Sequence, residues 1–134
     1  MISGEINLRV RYQETDCMGV VNHINYINYF EVARTELLRT TGISYRQIEQ
    51  MGVMLPVIEV AAKYHKPAHY DDELTIKVSL KKKPSIKVQF EYEIFRGDEL
   101  LITGTVVLAF MDATTRRPCR APQVFTDIMT PYFD

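Results

Sequence analysis

HINYINYFEVARTELLR, residues 23–39, is the stretch on which the fold turns. Ile24, Ile27, Phe30, Ala33 and Leu37 recur at helical spacing. Tyr26, Tyr29, Val32 and Leu38 widen the apolar surface beyond a single stripe, and Gly42 supplies a stop. A helix apolar nearly all round is enclosed rather than laid on a surface. The stretch therefore predicts one long helix buried inside something that wraps it.

The flanking sequence says what wraps it. Residues 5–12 alternate, with Ile6, Leu8, Val10 and Tyr12 against Glu5, Asn7, Arg9 and Arg11, which predicts a half-buried strand. Residues 13–22 carry Thr15, Asp16, Gly19 and Asn22 and read as a loop. Residues 44–51 suit a short second helix. Four strands follow at 55–65, 73–82, 85–95 and 99–111. The second alternates through Leu74, Ile76, Val78 and Leu80, and the third through Ile86, Val88, Phe90, Tyr92 and Ile94. Gly97-Asp98 marks a tight turn between the last two. The last strand is apolar on both faces, as a central strand is. The tail, broken by Pro118, Pro122 and Pro131, leaves room for one helical turn near 123–129. Strand, long helix and four strands, three of them linked by hairpins, indicate an α+β fold with a curved, mainly antiparallel sheet around the helix.

Composition sets the outer limits. The chain has 134 residues, 46% hydrophobic and 25% charged, the make-up of one globular domain spanning 1–134. With 16 Lys+Arg against 17 Asp+Glu, no basic excess recommends nucleic acid as a partner. No apolar run approaches the roughly 20 residues of a membrane span. The start, Met1-Ile2-Ser3-Gly4-Glu5, does not read as a secretory signal. Cys17 and Cys119 do not make a disulfide framework, so a reducing, cytoplasmic setting is expected.

Chemistry concentrates between the first strand and the helix, in Tyr12-Gln13-Glu14-Thr15-Asp16-Cys17-Met18-Gly19-Val20-Val21-Asn22-His23. A carboxylate, a glycine turn and a histidine meet there at a helix N-terminus, where backbone N–H groups are unpaired and the partial charge is positive. A thioester carbonyl placed at that end would be polarised as its oxygen gains negative charge. A neighbouring carboxylate can attack the carbon or deprotonate a water. The same residues also suit an ordinary capped helix, since Asp and Asn are common caps and Gly is common in loops.

Thr15-Asp16-x-x-Gly19-Val20-Val21-Asn22-His23-x-x-Tyr26, followed by Tyr29-Phe30-Glu31-x-Ala33-Arg34-x-Glu36-Leu37-Leu38, resembles the opening of the 4-hydroxybenzoyl-CoA thioesterase family of hotdog proteins. Within it, the pattern is most like the bacterial acyl-CoA thioester hydrolases associated with the Tol-Pal system. The resemblance continues through Gly42-Ile43-Ser44-Tyr45, Leu55-Pro56-Val57-Ile58 and Tyr64-x-x-Pro67-Ala68-x-Tyr70-Asp71-Asp72-x-Leu74, then fades in the last two strands. It implies a hotdog fold, homodimers or homotetramers, and an active site at the subunit interface. It further implies that Asp16 is the catalytic carboxylate and that the backbone N–H of His23 polarises the thioester carbonyl. Tyr12 and the His23 side chain also match residues that line the site in that branch. Neither a metal nor a prosthetic group is implied. The expected substrate is an acyl-CoA, with an acyl-carrier-protein thioester as another carrier. Gly19, Val20, Val21, Asn22 and Tyr26 are the expected substrate-binding neighbours.

Other features have plainer readings. Tyr12 reads as a core strand residue whose hydroxyl reaches the site. Asn22 and Asn25 suit cap and first-turn positions. Glu31, Arg34 and Glu36 are spaced for an ion pair along the helix. Cys17 lies beside a carboxylate that disfavours its thiolate. His65 and His69 flank Pro67 and do not share a helix face, so no metal site is expected there. Lys81, Lys82 and Lys83, with Lys77 and Lys87, form the one dense basic cluster; they read as a solvated hairpin turn, or as a contact for the phosphates of coenzyme A. The expected function is hydrolysis of an acyl-CoA to a free acid and coenzyme A. Its rivals are a hotdog hydratase or dehydratase and a non-catalytic acyl-CoA-binding protein. The related hydratases place His about five positions after Asp, a different spacing from that of Asp16 and His23.

Overall fold

The computed structural model describes residues 1–133. β1 (Ile2–Arg9) leads through a loop into α1 (His23–Thr40), then α2 (Tyr45–Gln50), β2 (Val53–Met54), β3 (Val57–Tyr64), β4 (Glu73–Leu80), β5 (Lys87–Arg96), β6 (Glu99–Ala109), β7 (Met111–Asp112) and α3 (Gln123–Met129). Five strands form one sheet in the order β1-β4-β5-β6-β3, with every pairing antiparallel. β2 and β7 form a separate two-stranded ribbon. The curved sheet and the helix it holds are those of the hotdog fold.

Each element follows from its local chemistry. Leu74, Ile76, Val78 and Leu80 on β4, and Val88, Phe90, Tyr92 and Ile94 on β5, all face α1 and are buried. Gly97, at φ +60°, makes the two-residue turn that opposes Arg96 to Glu99. Ser44 and Gln47 form a reciprocal capping box on α2. Gly42 sits at φ +95° just past the end of α1.

The helix is seated where the sheet is thinnest. Gly4, Val78, Tyr92, Gly104 and Ala62 lie side by side across the five strands. Phe30 stacks on Tyr92 at 4.2 Å between ring centroids, the two rings nearly parallel. It also lies over Gly104, where a Cβ would come within 2.6 Å of the ring and 2.9 Å of the Ala61 carbonyl. On the opposite face of the sheet the same row floors a groove of about 850 Å³, walled by polar side chains that include Ser79, Glu91, Lys77 and Thr105. That groove faces away from α1.

Four sequence expectations need correction. Tyr12 is not a core strand residue: β1 ends at Arg9, and the Tyr12 ring is 76% exposed in a short 3-10 turn, edge-on to Tyr70. α1 is not enclosed all round, because Ile24 and Val32 stand exposed on the side away from the sheet. Ile86 precedes β5 and is exposed as well. The ion pair expected among Glu31, Arg34 and Glu36 does not form. Glu36 pairs with Arg39, and Arg34 turns into the core toward Tyr45 and Tyr92. Its Nε and both tyrosine hydroxyls lack a well-formed hydrogen bond there. Burial pushes both hydroxyls to high pKa, and the neighbouring guanidinium pulls part of that back.

Gly104→Ala tests the seat of the helix. The added methyl meets an immobile ring and a backbone carbonyl. Urea unfolding is expected to show a loss of roughly 1–3 kcal/mol, the usual cost of overpacking a tight core.

Candidate active site

The loop between β1 and α1 is a small hairpin. Thr15 pairs with Val21. Inside that pair the Asp16 N–H donates to the Val20 carbonyl at 2.9 Å, and the Gly19 N–H donates to the Asp16 carbonyl at 3.1 Å. Gly19 turns the chain at φ +78°, a conformation glycine adopts without strain. Asp16 is half-buried. Its Oδ1 accepts the Met18 N–H at 2.8 Å, while Oδ2 has no hydrogen-bond partner among the described residues. Asp16 thus both braces the turn and keeps one carboxylate oxygen uncommitted.

The hairpin delivers the chain directly into α1. Asn22 is the N-cap, its Oδ1 accepting the Ile24 N–H at 3.1 Å. Its backbone N–H donates to the Glu14 carbonyl at 2.9 Å, and Asn25 Nδ2 donates to the same oxygen at 2.8 Å. His23, the first helical residue, has a backbone N–H with no acceptor among the described residues. An unpaired donor at the start of an 18-residue helix carries the partial positive charge of that end. The exposed His23 ring lies edge-on to Tyr64 of β3 at 6.4 Å, and Tyr64 in turn lies 5.5 Å from Tyr26.

The remaining expected neighbours divide between packing and the loop itself. Val21 and Tyr26 were expected to bind substrate, but both side chains are buried in the core. The Tyr26 hydroxyl accepts the Ala68 N–H at 3.0 Å; burial raises its pKa and that bond moderates the rise. Gly19 and Asn22 serve the turn and the cap, and Val20 bridges to His69. Lys81, Lys82 and Lys83 follow the far end of β4, about 25 Å along an eight-residue strand from the end near the loop. Lys81 pairs there with Glu91 at 3.2 Å. Within one chain the structure does not bring these lysines to Asp16. The groove across the back of the sheet also lies away from it. Cys17 is exposed and free. His65 lies 3.1 Å from the Thr103 hydroxyl. Among the described residues no cluster of three or more His, Cys, Asp or Glu side chains could hold a metal ion.

Two residues at the loop escaped the sequence reading. Glu14, with a side chain only 12% exposed, accepts from the Arg11 N–H at 2.8 Å, from the Arg11 guanidinium and from the Tyr29 hydroxyl at 3.0 Å. Burial, then this carboxylate, pushes the Tyr29 hydroxyl far up. Glu14 stands two residues before Asp16, and only that proximity could have flagged it. Tyr64 belongs to the Tyr64-x-x-Pro67 block, but nothing in its spacing announces that β3 places it beside the start of α1.

Comparison with known proteins gives the same direction. Residues 10–128 match the family model described as the thioesterase-like superfamily. The acyl-CoA thioesterase YbgC of Haemophilus influenzae is 32% identical over 117 residues, 87% of this chain and 86% of that protein. The acyl-CoA thioester hydrolase YbgC of Escherichia coli O6:H1 is 30% identical over 117 residues, 87% of each chain. The crystal structure of a DHNA-CoA thioesterase from Staphylococcus aureus superposes with a TM-score of 0.91 at 34% identity, covering 98% of this chain and 89% of that one. With the match running from the last residues before the loop to α3, the chain belongs to the thioesterase-like superfamily.

Proposed function

We propose that the chain hydrolyses acyl-CoA thioesters to a free acid and coenzyme A at the Asp16 hairpin. The observation that carries this reading is the pairing of an uncommitted Asp16 carboxylate oxygen with the unpaired His23 N–H at the start of α1. The N–H holds the thioester oxygen as it becomes an oxyanion. Asp16 acts in one of two ways. As nucleophile, its Oδ attacks the carbonyl carbon, the C–S bond breaks, coenzyme A leaves as a thiolate that takes up a proton, and water then cleaves the mixed anhydride. As general base, it takes a proton from water, which attacks directly. Repeated turnover in ¹⁸O-water separates them, because label enters the Asp16 carboxylate only when the mixed anhydride forms and water opens it at the Asp16 carboxyl carbon. The reading includes no resident metal or prosthetic group. The thioester carrier can be coenzyme A or an acyl carrier protein.

A second copy of the chain completes the reading. β3 is an edge strand, and Val57, Ile58, Val60 and Tyr64 on it are exposed, as is Ile24 at the start of α1. A long apolar edge left open invites pairing with another strand. A homodimer joined there, alone or within a homotetramer, would bury these side chains and wall an acyl pocket beside Asp16 and His23. Any contact of Lys81, Lys82 and Lys83 with coenzyme A belongs to such an assembly. A cytoplasmic setting is part of the proposal and accords with free Cys17 and Cys119.

Four variants test it, with thiol release from aliphatic and aromatic acyl-CoAs as the assay. Asp16→Asn keeps an oxygen for the Met18 N–H, so folding should be retained while turnover falls at least 10²- to 10⁴-fold, roughly the worth of a positioned base. Unaltered turnover refutes the role of Asp16. His23→Pro removes the N–H at a helix position that favours proline, and the extended Asn22 backbone, at ψ 134°, accepts a following proline. Turnover should fall by about 10²- to 10³-fold, the usual cost of one oxyanion donor, whereas His23→Ala keeps the N–H and most of the rate. Val60→Lys places a charge on the open edge. Analytical ultracentrifugation should show the unsubstituted chain as a dimer or tetramer and the variant shifted toward monomer, with turnover falling in parallel.

A further inference from the structure

The tip of the β5–β6 hairpin is tied to the segment behind the Asp16 loop by an interaction that the proposed chemistry does not use. Arg96, the last residue of β5, directs its guanidinium into the turn between β3 and β4. Nη1 donates to Asp72 Oδ2 at 2.8 Å and to the Pro67 carbonyl at 3.3 Å, and lies 3.3 Å from His69 Nδ1. Nη2 donates to Glu99 across the hairpin turn, and Glu99 also holds Lys66 at 2.7 Å. The Asp72 carboxylate further accepts the His69 N–H at 2.8 Å. Burial pushes the Asp72 carboxyl up, but Arg96 and the His69 N–H outweigh it and hold it below the ordinary range. The Arg96 and Asp72 side chains are 31% and 23% exposed, so water screens this pair less than it screens the surrounding surface pairs.

The clamped segment is what the loop leans on. The Ala68 carbonyl accepts the Val21 N–H at 2.8 Å, His69 bridges Val20, and the Tyr70 N–H donates to the Gly19 carbonyl at 3.4 Å. The Ala68 N–H donates to Tyr26, on the first turn of α1. Residues 19–21 and the helix start thus rest against 68–70, and 68–70 are fixed by Arg96 on one side and Asp72 on the other. The planar fork reaches two carboxylates and a carbonyl from two separate nitrogens, a spread that an ammonium, with all its donors on one nitrogen, does not reproduce.

We infer that Arg96 is a positioning residue for the reaction: through Asp72, Pro67 and Glu99 it fixes residues 66–72, and these set the register of Gly19–Val21 and with it the placement of Asp16 against the start of α1. The inference rests on the role proposed for Asp16. A side chain this far from the reacting atoms acts on rate through geometry, where a displacement of an ångström is enough to matter.

The test is a double-mutant cycle read by kinetics and by amide exchange. Arg96→Met should lower kcat roughly 10- to 100-fold, with KM shifted by less than about threefold, because transition-state placement and not uniform binding is lost. The Val21 amide should exchange faster while the Ile94 and Ile102 amides in the sheet keep their protection. Arg96→Lys should fall between the two, and Asp72→Asn should reproduce the Arg96→Met exchange pattern. In an Asp16→Asn background, Arg96→Met should cost no further rate, since both changes then act on one step. An equal loss in both backgrounds, or a Val21 amide as protected as in the unsubstituted chain, overturns the inference. If Asp16→Asn alone leaves turnover intact, the role of Asp16 falls, and the Val21 exchange by itself then upholds or overturns the clamp.

Discussion

Ala68 sets where the long helix begins. Fully buried, it receives the Val21 N–H on its carbonyl and gives its own N–H to the Tyr26 hydroxyl. One bond holds the last turn of the loop and the other holds the first turn of α1. Both ends of that junction are therefore referred to one residue on the sheet side. Buried backbone groups left without partners are costly, so the junction is stable only in this register. The unpaired His23 N–H is affordable because it lies at an accessible helix end, where a donor can face solvent or a ligand instead of the core.

From that junction the rest of the core follows. α1 leaves the loop at a fixed angle and drops Phe30 onto Tyr92 and the bare backbone of Gly104. Leu37 lies about two turns further along, 3.1 Å from where a Gly4 Cβ would stand. Two glycines in one row across the sheet are the condition for a helix with large aromatic side chains to sit this close. Neither was visible as such in the sequence, since Gly104 reads locally as an isolated Gly in a strand and Gly4 falls before the strand expected at 5–12.

Periodic features were legible. The helix at 23–39 is observed at His23–Thr40, the strand at 73–82 contains β4, the strand at 85–95 covers β5 up to its last residue, and the Gly97-Asp98 turn lies where its dipeptide placed it. These signals are local, since burial of one face imposes its own period. Tyr12 and Ile86 failed because alternation does not say where a strand stops. Hydrogen bonding across to β4 decides that, and β4 has no partner for Tyr12. Arg34 failed because helical spacing reports which side chains can pair, not whether tyrosines from α2 and β5 offer another environment. At the site, Asp16, Gly19, Asn22 and His23 were legible from one contiguous segment. Tyr64, Arg96 and Asp72 were not, because their relation to that segment exists only after β3, β4 and β5 have assembled.

The same distinction bears on what the chain can select. The groups proposed to act on a thioester carbonyl lie within eight residues, 16–23, and are held by backbone bonds that one chain makes alone. Side chains suited to hold an acyl group, Ile24, Val60 and Tyr64, are each about half exposed on two elements. Leaving these side chains half exposed forgoes part of the roughly 1.5–3 kcal/mol that full burial of each would contribute. That favours whatever covers them, whether substrate or second copy. Under the proposed arrangement, reaction type is a property of one folded chain and acyl preference a property of two. A substitution on the outer side of β3 would then alter which thioester is taken without touching Asp16 or the start of α1.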